Sequence, residues 1–181
     1  STPIIFENIL PLYLLSRINS GYKFSSKPIG LKFFNVYGIN EFHKGFMMSP
    51  IPKFLNQIKN YEYLNLFKSH NQNFANGEQA RDFVYIEDCI RVVLWFLKNK
   101  KKQGIFNVGS GKSETFRSLA KIIFKKLNKK INIKYIPTPK EIRKGYQYKT
   151  KADLANLRYA GYKNKFTSLK EGVSKYIDLI N

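Results

Sequence analysis

Two short runs of the sequence are apolar along most of their length, IGLKFFN at residues 29–35 and GIFNVGS at residues 104–110. A strand with apolar side chains on both faces needs a covering layer on each side, which parallel sheets flanked by helices provide. We therefore expect both runs to be strands buried on both faces. We also expect them to be parallel to each other in one sheet, because helix-joined parallel strands are the usual α/β unit.

Helical and strand-like segments alternate through the rest of the chain. A helix beginning at Pro50, with Ser49 as its N-cap, is predicted by apolar residues at helical spacing: Ile51, Phe54, Leu55 and Ile58. A helix after the short strand Phe83–Tyr85 is predicted to bury a face made of Ile90, Val93, Leu94 and Leu97. YLNLF (63–67) and INIKYIP (131–137) are predicted strands with the helix TFRSLAKIIFKKLNKK between them. The fold class predicted from this alternation is α/β with parallel pairing.

Two final helices are predicted from capping boxes near the C-terminal end of the sequence. Thr150 with Asp153 is the first such box, and Ser168 with Glu171 is the second. Gly161 lies where the C-cap of the first helix belongs.

The chain has the length of one ordinary domain at 181 residues, and its start at Ser1 rather than Met suggests a fragment or a processed product. The apolar run from Ile9 to Leu15 is too short to cross a bilayer, so no membrane segment is expected. The single cysteine, Cys89, excludes an internal disulfide framework and fits a reducing cytoplasm.

The formal net charge of +20 is typical of chains that bind nucleic acid or an anionic surface. Lysines make up 26 of the 32 basic residues, are scattered along the sequence, and accompany abundant Asn, Ile, Phe and Tyr. That combination is what an AT-rich coding sequence supplies. A basic nucleic-acid-binding domain is therefore the weaker alternative, while a phosphorylated small ligand gains from the same positive field.

Motifs for phosphate and metal binding are incomplete. NVGSGKS (107–113) approaches a P-loop, but the glycine needed five positions before Gly111 is Phe106, so a strand-to-helix turn is favoured. No G-x-G-x-x-G occurs in the sequence, so the dinucleotide-binding βαβ unit is not expected in this chain. His43 and His70 have no partners at metal-ligand spacing, and no metal site is predicted.

Three residues are candidates for ligand contacts, but the local sequence does not decide whether any of them binds a ligand. Arg81 is either half of a solvated pair with Asp82 or a guanidinium that grips a phosphate at the mouth of a sheet. Tyr146 has the composition of an ordinary loop around it. Lys44 is one of 26 lysines, but it follows a strand end, where α/β proteins place ligands.

Several segments occur in an order that resembles one enzyme family: FFNVYG followed by HKG, then LFKSH, RDFVYIEDC, IFNVGSG, KGYQYKTKADL and AGYKNKFTSLKEGV. The resemblance covers about residues 29–181. It is to the ADP-L-glycero-D-manno-heptose 6-epimerase family of extended short-chain dehydrogenases/reductases. RDFVY and FNVYG are shared by many nucleotide-sugar epimerases and dehydratases, whereas the HKG and KGYQ segments resemble the heptose enzymes in particular.

The resemblance implies a domain organisation. Residues 29–181 correspond to the C-terminal strands of a Rossmann-type parallel sheet, interleaved with a small α/β substrate-binding domain. Residues 1–28 correspond to a degraded or incomplete end of the dinucleotide-binding domain.

The resemblance also implies site residues. Lys44 matches the family's second acid/base, placed across the sugar from a tyrosine and close to the cofactor, and Val36 borders the nicotinamide. Arg81 matches the residue that binds the substrate diphosphate, and Tyr146 the tyrosine that closes over the substrate. The full implied substrate-binding set is Asn35, Phe67, Lys68, Ser69, His70, Arg81 and Tyr146.

The reaction implied is epimerisation at C6 of an ADP-heptose, by oxidation and re-reduction with NADP, or alternatively NAD, in lipopolysaccharide inner-core synthesis. Two acid/base groups on opposite sides of the sugar suit the symmetry of that chemistry. The cofactor comes mainly from an N-terminal half, so the 181-residue chain is expected to be inactive alone. The complete enzyme is expected to be cytoplasmic and homo-oligomeric, with neither a nucleic-acid nor a membrane partner.

The sequence departs from the family at several positions. The family has a histidine where this chain has Lys53, and a polar residue where it has Phe46. Tyr13 stands at the spacing of the catalytic tyrosine in Tyr-x-x-x-Lys, but Arg17 replaces the lysine and cannot place a compact ammonium. The alternatives are therefore an inactive remnant that binds a nucleotide sugar, or another epimerase or dehydratase of the same superfamily.

Overall fold

The computed structural model of the protein describes residues 29–180, so Tyr13 and Arg17 lie outside the described residues. The strands are β1 (Ile29–Phe33), β2 (Asn35–Tyr37), β3 (Leu64–Phe67), β4 (Ala80–Arg81), β5 (Phe83–Tyr85), β6 (Gly104–Val108), β7 (Glu114–Thr115) and β8 (Ile133–Ile136). The helices are α1 (Pro50–Tyr61), α2 (Ile86–Lys98), α3 (Phe116–Lys126), α4 (Lys140–Arg143), α5 (Ala155–Tyr159) and α6 (Leu169–Ile180), and a 3₁₀ helix spans Phe42–Met47. None of the helices in residues 29–180 has the length and apolarity to cross a bilayer.

Parallel pairing of short strands confirms the α/β class. β1 runs parallel to β6 with Ile29 opposite Gly104, as the two apolar runs predicted. β2 is parallel to β5 and β3 is parallel to β8, while β4 and β7 are antiparallel. Between β1 and β2 the chain turns, because the amide of Val36 donates to the carbonyl of Phe34 at 2.9 Å. That turn carries the chain from its pairing with β6 to its pairing with β5.

Two apolar cores hold these elements together. The larger core packs α1, α3 and α6 around β3 and β5, and Ile51, Leu119 and Tyr176 are among its fully buried members. The smaller core joins Val92 of α2 and Leu157 of α5 to the apolar side chains of β6. Helices α2 and α5 therefore cover the β1–β6 pair together.

The predicted buried face of α2 is wrong. Val92 and Phe96 are buried beside Cys89, whereas Ile90, Val93, Leu94 and Leu97 are exposed. The helix has apolar residues on two sides, so helical spacing alone supports either face. The ring of Phe96 lies 4.6 Å from that of Phe106 on β6, and this contact selects the buried side.

The predicted burial of β1 on both faces is also wrong. Ile29 and Leu31 are half-buried against the smaller core, and Phe33 is 39% exposed. Within residues 29–180, β1 has only β6 as a neighbour, so one of its edges has no partner strand.

The helix ends agree in part with the predicted caps. Helix α1 begins at Pro50 after Ser49, as predicted, but the Ser49 side chain makes no capping bond. Near the C-terminus, Ser168 Oγ accepts from the amide of Glu171 at 3.3 Å, which confirms the second predicted helix start.

The capping box predicted at Thr150 is wrong. Helix α5 begins at Ala155, and Thr150 Oγ1 instead accepts a hydrogen bond from the amide of Asp82 at 3.1 Å. Gly161 does follow the end of α5 with φ of 107°, a left-handed value that glycine adopts without steric cost.

Candidate functional site

Arg81 is an arginine without a carboxylate partner among the described residues. Its guanidinium lies between two aromatic rings, 5.6 Å from the centre of Phe116 and 5.5 Å from the centre of Tyr146. One of its nitrogens, Nη1, donates to the carbonyl of Ala80 at 2.9 Å. Burial lowers the pKa of Arg81 from its usual value, but an arginine keeps its charge in proteins. This half-buried positive charge is suited to an anionic ligand.

The neighbouring Asp82 is not part of a solvated pair, so that alternative for Arg81 is wrong. Asp82 is fully buried, and its Oδ1 accepts from the amide and the hydroxyl of Ser110 at 2.6 and 2.7 Å. Its Oδ2 accepts from the amides of Gly111 and Ala152, both at 2.9 Å. The GSG turn that resembled a phosphate loop therefore binds a carboxylate from the protein itself.

Gly109 is required by the same arrangement. A Cβ atom at this position would come within 2.6 Å of the Ala152 side chain and 2.9 Å of Asp82 Oδ2. Asp82 thus ties the loop after β6 to the segment that precedes α5. This segment also continues from Tyr146, so the carboxylate helps to set the geometry around Arg81.

An aromatic cavity of about 450 Å³ opens beside Arg81. Tyr146 and Phe116, the two rings that flank the guanidinium, both line the cavity, and Phe67 lies on the same wall. The other lining residues are Pro50, Lys53, Phe54, Gln57, Tyr61, Tyr63, Asn65, Leu66, Gln79 and Ile136. Flat aromatic walls with a few amide groups suit a planar heterocycle, and a charged group attached to it could reach Arg81.

Two of the amide side chains in the cavity wall are held in place by backbone contacts. Gln79 Nε2 donates to the carbonyl of Phe67 at 3.3 Å, and Gln57 Oε1 accepts from the amide of Asn65 at 3.2 Å. Each amide keeps its other polar atom available. These hydrogen bonds fix the orientation of both side chains in the cavity wall.

A cluster of rings closes one side of the site. The ring centre of His70 lies 5.8 Å from that of Tyr146 and 5.1 Å from that of Tyr148. The ring centres of Phe74 and Tyr148 are 4.7 Å apart. The Tyr148 hydroxyl accepts from the backbone amide of His70 at 2.8 Å and is 2.9 Å from His70 Nδ1. Tyr148 therefore fastens the loop after β3 to the segment carrying Tyr146.

The predicted segment Phe67–His70 meets Tyr146 mainly through its two ends. Phe67 lines the cavity and His70 contacts the ring, whereas the contacts of Lys68 and Ser69 hold the loop itself. The amide of Lys68 donates to the Ile136 carbonyl at 2.8 Å, and Ser69 Oγ donates to a loop carbonyl at 2.7 Å.

Burial raises the pKa of Tyr146 above its usual value, and the nearby charge of Arg81 opposes that rise. The phenol is consequently neutral at physiological pH. It can offer a hydrogen bond and a ring face to a ligand on Arg81, but no negative charge.

Lys44 lies in an exposed loop built around a buried carboxylate. Glu41 is 3% exposed, and its carboxylate accepts from the Gly38 amide at 3.1 Å and from the amide and the hydroxyl of Ser49, both at 2.8 Å. Gly45 has φ of 53°, which favours glycine after the lysine. Within residues 29–180, the Lys44 ammonium has no hydrogen bond or ion pair, and Lys44 does not line the cavity.

Lys53 stands between that loop and the cavity. It lines the cavity, and its Nζ donates to the carbonyl of Phe46 in the 3₁₀ helix. Lys53, which stands where the family has a histidine, thus joins the Lys44 loop to the cavity wall.

Asn35 and Val36 lie at the turn from β1 to β2 rather than in the cavity wall. Asn35 Oδ1 accepts from Thr150 Oγ1 at 3.4 Å, and Val36 packs against the smaller core. The described residues therefore bring Arg81, Tyr146, Phe67 and His70 together but leave Asn35, Val36 and Lys44 outside this group.

Sequence reasoning missed Asp82, Gln79, Phe116 and Tyr148. The local sequence gives no signal for the burial of Asp82, because a buried carboxylate needs hydrogen-bond donors and these lie far away in the sequence. The contributions of Phe116 and Tyr148 depend on strand and loop contacts far apart in the sequence, for which no local pattern exists. Within residues 29–180, no group of three or more His, Cys, Asp and Glu side chains could hold a metal ion.

Comparisons with known proteins agree with this architecture. The profile of the NAD dependent epimerase/dehydratase family matches residues 14–109. An ADP-L-glycero-D-manno-heptose-6-epimerase of Nitratidesulfovibrio vulgaris is 44% identical over 147 residues, which are 81% of this chain and 46% of the relative. The chain spans about half the length of the curated relatives it matches.

Two solved structures of nucleotide-sugar epimerases are also similar to this chain. The ADP-L-glycero-D-manno-heptose-6-epimerase of Helicobacter pylori is similar with a TM-score of 0.75 and 26% identity, covering 94% of this chain and 48% of that one. The UDP-N-acetylglucosamine 4-epimerase of Methanobrevibacter ruminantium, in complex with UDP-N-acetylmuramic acid, has a TM-score of 0.75 and 26% identity, with 94% and 50% coverage.

Proposed function

The chain belongs to the NAD dependent epimerase/dehydratase family, and we propose that it forms the substrate-binding part of an ADP-L-glycero-D-manno-heptose 6-epimerase. The observation that carries the proposal is the position of Arg81, a cation held between Phe116 and Tyr146 at an aromatic cavity. The similarity to heptose epimerases supports the choice of sugar.

The cavity and Arg81 divide the binding of a nucleotide diphosphate between them. The base occupies the cavity, where aromatic side chains and the amides of Gln57 and Gln79 are available to a heterocycle. The diphosphate pairs with Arg81, and charge-assisted hydrogen bonds replace part of its lost hydration. The net charge of +20 raises the local concentration of such an anion.

The loop after β3 lies along the nucleotide in this proposal. Phe67 forms part of the cavity wall and His70 contacts Tyr146, so the loop that carries Lys68 and Ser69 borders the substrate. Tyr146 closes over the diphosphate as a neutral phenol. Asn35 and Val36 border the sugar and the nicotinamide on the other side.

When bound, the family's nicotinamide cofactor, NADP or NAD, would supply the hydride chemistry needed at C6 of the sugar. In the GSG turn the amides of Ser110 and Gly111 are already bonded to Asp82, so this turn does not offer them to the cofactor's pyrophosphate. We therefore assign most of the cofactor site to a part of the protein that this chain does not cover.

Lys44 serves either as an acid/base group for the reacting sugar or as a charge partner for bound phosphate. Lys44 is exposed, and the loop that carries it is anchored at Glu41 and at Lys53. Anchoring of the loop reduces the backbone entropy that is lost when Lys44 contacts a ligand, although the flexible side chain must still be ordered. Tyr13 is the candidate for the opposing acid/base group. The complete enzyme is proposed to act in the cytoplasm as a homo-oligomer.

Titration calorimetry with the 181-residue chain tests the binding part of this proposal. We expect ADP to bind more tightly than UDP, and we expect Arg81→Ala to lose most of the binding. Preference for UDP would favour another nucleotide-sugar epimerase of the family. Binding of ADP without epimerisation by the complete gene product would identify an inactive remnant.

A further inference from the structure

The side chain of Tyr148 contacts the loop after β3 through both its hydroxyl and its ring. The hydroxyl accepts from the backbone amide of His70 at 2.8 Å and lies 2.9 Å from His70 Nδ1 and 3.3 Å from Ser69 Oγ. The ring centre lies 4.7 Å from that of Phe74. One half-buried tyrosine thus contacts three residues of a loop that is distant in the sequence.

The backbone on both sides of this tyrosine is bonded to β4. The Ala80 amide donates to the Tyr148 carbonyl at 2.8 Å, and the Thr150 amide donates to the Ala80 carbonyl at 3.2 Å. These bonds hold the segment next to Arg81, which follows Ala80 in β4. The ring centres of Tyr146 and Tyr148 are 5.4 Å apart, so the ring that flanks the guanidinium and the ring that contacts the loop are neighbours.

Residues 70–74 are the tip of the loop, and the tip has few attachments to the rest of the protein. Within residues 29–180, every hydrogen bond from the tip to a distant part of the sequence ends on the Tyr148 hydroxyl. Its other hydrogen bonds are local, such as that from the Asn73 amide to Asn71 Oδ1 at 2.9 Å. Local bonds maintain the shape of the tip but not its place on the protein, so the Tyr148 hydroxyl determines that place.

The start of the loop, at Phe67 and Lys68, is held without Tyr148. The Lys68 amide donates to the Ile136 carbonyl at 2.8 Å, and the Lys68 carbonyl accepts from Thr138 Oγ1 at 2.7 Å. Loss of the Tyr148 hydroxyl should therefore release the tip and leave the cavity wall at Phe67 in place.

We propose that Tyr148 is a positioning residue, which holds His70 beside the diphosphate of a ligand bound at Arg81. This role rests on the proposed function. The His70 ring lies 5.8 Å from the Tyr146 ring that flanks the guanidinium, so the tip borders the place of the phosphates and not that of the base. A loop that is held in place before binding loses less conformational entropy when the ligand enters, and the complex is tighter for that reason.

The test compares the wild-type chain with Tyr148→Phe, which keeps the ring beside Phe74 and removes only the hydroxyl. Tyr148→Leu is a second variant without a hydroxyl, and Tyr159→Phe is the matched control, because Tyr159 is 96% exposed on α5. Calorimetry measures the Kd of ADP, and an NMR titration measures the Kd of adenosine, which has the base but no phosphate. Hydrogen exchange of the His70 amide is measured on the free proteins, and thermal melting verifies their folding.

We expect Tyr148→Phe to raise the Kd of ADP about tenfold, to leave the Kd of adenosine within about twofold, and to speed exchange of the His70 amide. Tyr159→Phe should change none of these quantities. Similar losses for ADP and adenosine would overturn the proposal and assign Tyr148 a general structural role. An unchanged Kd of ADP, or unchanged exchange, would also overturn it while the proposed function stands. If the wild-type chain binds no ADP, the proposed function fails and this role fails with it.

Discussion

The Arg81 guanidinium lies 5.5 Å from the centre of the Tyr146 ring, although the two residues are far apart in the sequence. β4 carries Arg81, and the bridge from Ala80 to Lys149 brings the segment after Tyr146 alongside it. Because the guanidinium is stacked rather than paired with a carboxylate, its charge is available to a ligand.

Arg81→Ala should weaken ADP binding to the chain by about 2–3 kcal/mol, since a charge-assisted contact to the diphosphate is lost. In the complete enzyme the diphosphate is bound equally in ground and transition states, so KM should rise more than kcat falls. Calorimetry and steady-state kinetics measure the two effects. Arg81→Lys keeps the charge but loses the planar contact with Tyr146, and it should recover only part of the affinity. Equal affinity of Arg81→Ala and the wild type for ADP would show that Arg81 does not bind the diphosphate.

Lys44→Ala should lower kcat of the complete enzyme by about 10²–10⁴-fold if Lys44 transfers a proton. The folded structure should be unaffected, because the Lys44 side chain has no partner within residues 29–180. Rates at saturating substrate distinguish the roles: a charge partner for phosphate changes KM, whereas an acid/base group changes kcat. Unchanged values of both constants would mean that Lys44 is an ordinary solvated lysine. Lys165→Ala, at an exposed position outside the site, is the control.

Asp82→Ala should lower the free energy of unfolding by about 3 kcal/mol or more, because four donors lose a buried acceptor. The comparison is Asp178→Ala, which removes an ion pair to Lys126 from a carboxylate that is 62% exposed and should cost less than about 1 kcal/mol. Urea unfolding of the three proteins gives both numbers. Similar losses for the two variants would contradict the structural role assigned to Asp82.

Burial raises the pKa of the Cys89 thiol to about 12, so this cysteine should be unreactive in the folded protein. A thiol reagent at pH 8 should label Cys89 only after denaturant is added. The raised pKa also means that the folded state holds the proton more tightly than the unfolded state. Stability should therefore fall as the pH rises from about 9 to about 12.

The contribution of Cys89 to this alkaline loss can be isolated with Cys89→Val, which leaves no titrating group. The pH dependence of the free energy of unfolding between pH 9 and 12 should become shallower by up to about 1.4 kcal/mol per pH unit. It should not vanish, because burial also raises the pKa of Tyr37 and of Tyr85. An unchanged slope would show that Cys89 is not buried in solution.

Much of the fold could be predicted from local sequence. The apolar runs in β1 and β6 are strands in parallel, and Ile51, Phe54, Leu55 and Ile58 are buried on α1 as their spacing indicated. These features depend on side-chain periodicity and on proline at a helix start, which act over a few residues. The absence of a P-loop could also be predicted, because the motif needs a glycine at the position of Phe106 and the sequence alone shows that it is missing.

The site required the tertiary structure. Asp82 could be read as a solvated acid until Ser110, Gly111 and Ala152 were seen to surround it, since a buried carboxylate is tolerable only when distant amides converge on it. Thr150 has a helix-cap pattern, yet its hydroxyl is used by the amide of Asp82 instead. In both cases local chemistry allows several partners, and the packing of strands selects one.

Helix α2 shows the same division most clearly. Its sequence determined a helix with apolar residues at Val92 and Phe96 and equally at Val93 and Leu97. Hydrophobic spacing makes burial of either stripe similarly favourable, because the free energy of burial depends on the apolar area buried and not on which side of the helix carries it. Only the position of Phe106 on β6 decided which stripe is buried, and so which one remains exposed.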